Sequence, residues 1–233
     1  MARRPVFISE TKGSNFVRVM PVDFTWYAGM AKSRKQMSVR SLHEATHKLL
    51  PSVRLLEVSR MSEDILGQQL SAFNLTFHTK NRRREIAVEC AFQASKAFEN
   101  GGPYLDLLDA NPVDAKRDER LQRSGILTGF EFFGQRWALE PQTAFYDWIY
   151  INALHLRPKL AQEAMAYDVF TDIAFNPAKS INCQASAVAL YVSLRRRDVI
   201  EEALGSRENY LEMVHGAKIA SASQREEPQG SLF

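Results

Sequence analysis

The sequence predicts an α+β fold, mainly helical, built as a single main domain with a few short strands in its N-terminal half. Three observations carry this prediction. Strand-like pieces gather in the first third, as in FVRVMPVDFTW at residues 16–26. From residue 88 onward, apolar residues recur at helical spacing in long stretches such as QTAFYDWIYINALHL and CQASAVALYVSLRRR. A chain of 233 residues with 45% hydrophobic content can enclose a substantial core.

Taken in order, the first helix is expected to start near Ser38 or Ser41 and to run through SLHEATHKLL to a stop at Pro51. The apolar run Val53 to Val58 suits a short strand. After a break at Gly67, LSAFNLTF reads as extended, NRRR as a basic turn, and Val88 to Phe98 as a helix. Gly101 to Pro103 interrupts the chain, and DAKRDERLQ resumes it as helix. Pro141 falls where a first helical turn tolerates proline, Pro158 opens a further short helix, and Asn176 to Asn182 forms a loop. The helix over CQASAVALYVSLRRR has a basic end that complements its dipole. SASQREEPQGSLF is expected to be a disordered tail. The domain reading is a 1–69 segment packed on a 70–220 core, with 221–233 as the tail. No repeat of fixed period is visible.

A net charge of +3 permits a phosphate-bearing partner without demanding one. Cys90 and Cys183 lie among apolar and small residues, which points to reduced, buried thiols and to the cytoplasm. The residues after Arg3 and Arg4 are too broken by Pro, Glu, Lys, Gly and Asn for a signal peptide, and no stretch is long enough to span a membrane. Arg82 to Arg84 and Arg195 to Arg197 suit either phosphate contacts or solvated turns and helix ends.

His43-Glu44-Ala45-Thr46-His47 matches H-E-x-x-H, a spacing that places two imidazoles one turn apart on a zinc ion and leaves the glutamate to activate water. Lys48 puts a charge straight after the second histidine, and Glu63 is the nearest candidate for a third ligand. The match is read as incidental, and no metal or cofactor is expected.

VECAFQASKAF, Val88 to Phe98, is otherwise built for burial, yet Glu89, Gln93 and Lys96 form one polar strip at i, i+4 and i+7. That strip either faces water or lines a cavity. Polar groups enclosed by the fold must find partners or meet a ligand.

This helix resembles the V-E-x-A-F-Q-A-x-K pattern of the NADAR family, domains associated with NAD and ADP-ribose metabolism. Leu70-Ser71-Ala72-Phe73 is similar to the family's L-S-N-F, with Ala72 in place of the asparagine and Asn74 two positions later. Ala115-Lys116-Arg117 is similar to its A-K-R segment, and Trp137, with Phe145 and Leu154 following, to its tryptophan stretch. Asp172 and Asn182 are weaker matches near the family's end. The front segment, FTWYAGMAKSRKQMSVRSLHEA, and the ending FNPAKSINCQASA resemble a branch found beside DarT-type toxins, which ADP-ribosylate guanine in DNA.

The resemblance implies a single NADAR-like domain that hydrolyses the bond between ADP-ribose and guanine, acting as antitoxin to a DarT-type toxin. The implied substrate is modified guanine in DNA, most accessible in single strands, and ADP-ribose is the product. It further implies Glu89, Lys96 and Trp137 as catalytic residues. Lys35, Arg40, Ser71, Phe73, Asn74, Gln93, Lys116, Arg117, Asp172 and Asn182 are implied as ligand-binding residues. Two alternatives stay open: an N-glycosidase of a riboflavin-pathway intermediate, and a non-catalytic antitoxin that binds ADP-ribose or the toxin.

Overall fold

A computed structural model of the protein describes residues 1–79, 85–178 and 180–216. The arginines at 82–84 and the tail expected from 221 lie outside the described residues. Strands β1 (Ala2–Ser9) and β2 (Val17–Phe24) pair antiparallel along their full length. β3 (Leu55–Glu57) and β9 (Val169–Thr171) run parallel to each other, and β9 pairs antiparallel with β1, giving the sheet order β2-β1-β9-β3. The front segment therefore shares a sheet with a strand from the last third of the chain.

Alternation along these strands splits the core in two. Val6, Ile8 and Val169 pack with Val39 and Leu42 of helix α1 (Lys32–Leu49) on one face. Phe7, Leu56 and Phe170 point to the other face, into the main core. That core is built around α3 (Val88–Ala94), α6 (Ala144–His155) and α8 (Gln184–Arg196). Cys90 and Cys183 are both buried and unbridged. Among the described residues, no helix is long and apolar enough to cross a membrane.

Helix α1 begins at Lys32, roughly two turns before the expected start. Its serines act as clasps instead of caps: Ser38 Oγ accepts from the Tyr27 amide at 3.0 Å, and Ser41 Oγ from the Thr25 amide at 3.1 Å. Gly67 does not break the chain but lies inside helix α2 (Ile65–Gln69), whose N-cap Asp64 accepts from the Leu66 amide. The segment after it turns through Ser71–Asn74, and only Thr76–Phe77 is strand, β4, paired with β5 (Ile86–Ala87). Residues 70–75 are loop because their backbone groups bond within local turns, as the Asn74 and Leu75 amides do to the Ser71 carbonyl, or to α3, α6 and α8, not to a strand partner.

The helix expected to reach Phe98 stops at Ala94. Ser95 Oγ folds back on the Ala91 carbonyl at 2.7 Å, and the chain leaves as strand β6 (Lys96–Phe98). Two short helices, α4 (Pro112–Arg117) and α5 (Arg120–Arg123), follow. Strands β7 (Leu127–Phe132) and β8 (Gln135–Trp137) complete a three-stranded sheet with β6. Pro141 follows a cis peptide bond and stands outside α6; the N-cap is Thr143, whose hydroxyl donates to Asp147 Oδ2 at 2.7 Å. Pro158 opens α7 (Pro158–Ala164) as expected, and α9 (Ile200–Gly205) and α10 (Arg207–Tyr210) close the described chain with a π-helical turn at Leu211–Gly216.

Candidate functional site

β5 passes directly into α3 without a loop, so the first amides of α3 have no side-chain cap. They bond instead to the neighbouring loop: Val88 N–H donates to the Leu75 carbonyl at 3.0 Å and Glu89 N–H to the Ala72 carbonyl at 2.9 Å. The loop is held from behind as well. Gln184 Oε1 accepts from the Ala72 amide at 2.8 Å, and the Tyr150 hydroxyl donates to the Leu70 carbonyl. Two helices and one loop thus fix where Glu89 stands, in the first turn, where the helix dipole favours a carboxylate.

Glu89 lies on a cleft of about 820 Å³. Phe92 and Gln93 of α3, Lys96 of β6 and Lys116 of α4 line it with Phe73, and the loop after β9 supplies Asp172, Phe175, Asn176 and Asn182. Thr143, Phe145 and Tyr146 of the α6 start form the facing wall. Glu89 is only 4% exposed, yet its Oε1 accepts from Gln93 Nε2 at 2.8 Å and lies 3.5 Å from Lys116 Nζ. Gln93 lines the cleft, and with its amide nitrogen committed to Glu89 its Oε1 is buried without a hydrogen-bond partner among the described residues. Such an atom awaits a donor from water or ligand. Burial lowers the pKa of Lys96, whose ammonium stands 4.9 Å over the Phe92 ring. Burial raises the Asp172 carboxyl, which accepts from the Ala174 and Phe175 amides at 2.9 and 3.2 Å.

The family model of DarT1-associated NADAR antitoxins matches residues 2–224. The chain belongs to this family. No curated protein matches it. The match takes in both the motif region and the front segment, and it makes the chain an antitoxin associated with a DarT1 toxin.

Of the residues that the sequence singles out, the antitoxin's cleft brings together Glu89, Gln93, Lys96, Phe73, Lys116, Asp172 and Asn182. Ser71 stands one layer behind, its hydroxyl 3.4 Å from Gln184 Oε1. The others do not line the cleft. Lys35 sits 4.4 Å over the Trp26 ring, and Arg40 is held in a two-pronged pair with Glu63. Asn74 donates its amide to the Gln68 carbonyl at 2.8 Å, and Arg117 is exposed. Trp137 is buried against Phe145 and Trp148, with ring centroids 5.5 and 5.7 Å away, so its face is already covered by core aromatics. Sequence reasoning missed Gln184, Phe92 and Tyr146. Gln184 opens a helix straight after the Asn176–Asn182 loop, a position that carries no local signal of its bond to Ala72.

Two of the three arginines at the end of α8 are structural, while Arg195 is exposed. Arg196 donates to Asp168 Oδ1 at 3.0 Å and to the Met165 and Tyr167 carbonyls, while Arg197 donates to carbonyls of the β1–β2 turn, including Glu10 and Lys12. Their forks are filled by protein acceptors, which overrides the phosphate reading at Arg196 and Arg197.

His43 of the H-E-x-x-H match has its Nε2 2.9 Å from Thr171 Oγ1, which is bonded to Glu57 Oε2 at 2.6 Å. Glu63 is taken by Arg40. Among the described residues, no three His, Cys, Asp or Glu side chains stand together as metal ligands. Burial, helped by the neighbouring His47 charge, holds His43 down to about 4. The unfolded chain takes up this proton near pH 6.5 and the native chain only near 4, so the imidazole withdraws stability as pH falls through that window. Relative to a His43→Gln variant, wild type is expected to lose on the order of 3 kcal/mol between these limits. Denaturant unfolding of both proteins from pH 7 to pH 4 checks this; a difference that stays constant with pH refutes it.

Proposed function

We propose that the antitoxin is an ADP-ribosyl glycohydrolase that removes ADP-ribose from guanine bases of DNA modified by its DarT1 toxin. The observation that carries this reading is Glu89: a carboxylate enclosed on an apolar helix, open to a cleft, and flanked by Gln93 and Lys116. Release requires the C–N bond at the anomeric carbon to break while a water oxygen bonds to that carbon, through a transition state with oxocarbenium character. The electron pair of the broken bond stays on the guanine, which then takes a proton. Glu89 stabilises the developing positive charge and orients and deprotonates the water, and its low-dielectric setting strengthens both effects.

Lys96 and Lys116 serve the leaving base and the diphosphate. Desolvation of Lys96 eases proton transfer from its ammonium to the departing guanine. Gln93 Oε1, buried beside Glu89 without a partner among the described residues, suits a ribose hydroxyl donor once its side chain swings toward the ligand. A modified guanine must leave the base stack to enter such a cleft, which costs less in single-stranded DNA.

The test is direct. A single-stranded oligonucleotide carrying ADP-ribosylated guanine is incubated with the purified protein, and mass spectrometry follows oligonucleotide and free ADP-ribose. The expected result is unmodified oligonucleotide with an equal amount of ADP-ribose. An oligonucleotide that keeps its modification under excess antitoxin would overturn the glycohydrolase reading and leave sequestration.

A further inference from the structure

We propose that Arg60 is a phosphate-binding residue of the antitoxin, gripping with Lys116 the diphosphate of the ADP-ribosyl group at the rim of the cleft. The proposal rests on the glycohydrolase reading above.

Three independent observations carry it. The first is where the strands point. β3 and β9 are parallel, so both release their following loops at the same end of the sheet. The loop after β9 already walls the cleft, and Arg60 lies in the loop after β3. Ligands of parallel strands gather at such carboxyl ends.

The second is the aromatic platform. Phe73 lines the cleft, and two cations stand over its ring: Arg60 Cζ at 4.3 Å from the centroid and Lys116 Nζ at 5.1 Å. A guanidinium laid over a ring loses no donors, because its N–H groups point outward in its own plane. The ring fixes the cation while leaving the fork open for a two-pronged phosphate contact.

The third is charge. The carboxylates Glu89, Glu140 and Asp172 line the cleft against Lys96 and Lys116, and Lys116 is already drawn toward Glu89. A diphosphate entering this site needs another cation. Arg60 is exposed and forms no ion pair with any carboxylate of the described residues. Most of the other arginines near this sheet are engaged, Arg3 by Asp23, Arg40 by Glu63 and Arg196 by Asp168.

Arg54 is a built-in control. It too is exposed and stands over an aromatic ring, that of Tyr167 at 5.1 Å, but at the opposite end of β3. The experiment compares wild type with Arg60→Ala, Arg60→Lys and Arg54→Ala by calorimetric titration with ADP-ribose, and separately with an unmodified single-stranded oligonucleotide. Arg60→Ala is expected to weaken ADP-ribose binding about tenfold or more, Arg60→Lys less, and Arg54→Ala not at all. In steady-state hydrolysis the Arg60→Ala loss should fall on KM and leave kcat near wild type. Oligonucleotide affinity should hold.

Unchanged ADP-ribose affinity in a folded Arg60→Ala protein would overturn the proposal alone. Loss confined to the unmodified oligonucleotide would also overturn it, by assigning Arg60 to the DNA backbone. Failure of wild type to release ADP-ribose from the modified oligonucleotide would remove the glycohydrolase reading, and failure of wild type to bind ADP-ribose would overturn this proposal.

Discussion

Glu89→Gln is expected to slow release of ADP-ribose from modified DNA by at least about a hundredfold, the scale on which a general base or an electrostatic stabiliser contributes. The substitution keeps the side chain's shape, and an amide oxygen at this position still accepts from Gln93 Nε2, now 2.8 Å from the carboxylate. The fold should therefore survive, and the lost quantity is the negative charge. On the proposed mechanism that charge acts on the transition state, so binding of ADP-ribose should be largely retained. Protection of cells should not be. Co-expression with the DarT1 toxin, read by growth and by the level of ADP-ribosylated guanine in cellular DNA, separates the two functions. Full rescue by the variant would refute erasure as the basis of antitoxicity, since sequestration needs affinity alone.

Gly67→Ala should be among the most damaging single-methyl changes in the protein. In an exposed helix, alanine would gain up to about 1 kcal/mol over glycine. Here the added Cβ would lie 2.0 Å from the Glu57 carbonyl oxygen and 2.4 Å from Ser62 Oγ. The first of these is backbone of β3 and cannot turn aside. Helix α2 must move, at a cost of roughly 3 kcal/mol or more that outweighs the gain in propensity. The movement is passed on to the loop that carries Phe73 and receives the amides of Val88 and Glu89. Chemical denaturation should show the loss, and catalytic activity should fall with it. Wild-type stability in the variant would show that α2 can stand off from β3 freely.

What could be read from the sequence was whatever rests on local spacing. The strip of Glu89, Gln93 and Lys96 is legible because burial on both sides leaves polar groups only where something must meet them, and all three line the cleft. The same spacing misled at its end: Lys96 reaches the cleft from a strand, because Ser95 turns its hydroxyl back on Ala91 and the helix stops. Gly67 was misread for a related reason. Glycine as a breaker and glycine as a close-packing contact look identical until the second surface, here β3, is known. Trp137 differs again: the structure packs it among core aromatics away from the cleft, and since a large aromatic ring serves a core as well as a ligand, nothing within its own segment distinguishes the two. Gln184 was beyond reach altogether, for its partner at Ala72 is 112 residues away in the chain.

That separation, together with the pairing of β1 to β9, has a consequence in time. Chains are made from the N-terminus, and contacts between distant residues cannot close before both ends exist. β1 waits for Val169 and Phe170 to complete its pairing, and the loop beneath Glu89 waits for Gln184. A ribosome that stalls before Gln184 therefore leaves a chain that already contains Glu89, Lys96 and Lys116 but has no assembled cleft to hold them. Assembly of the cleft is thus a late event, expected only when synthesis has passed the start of α8.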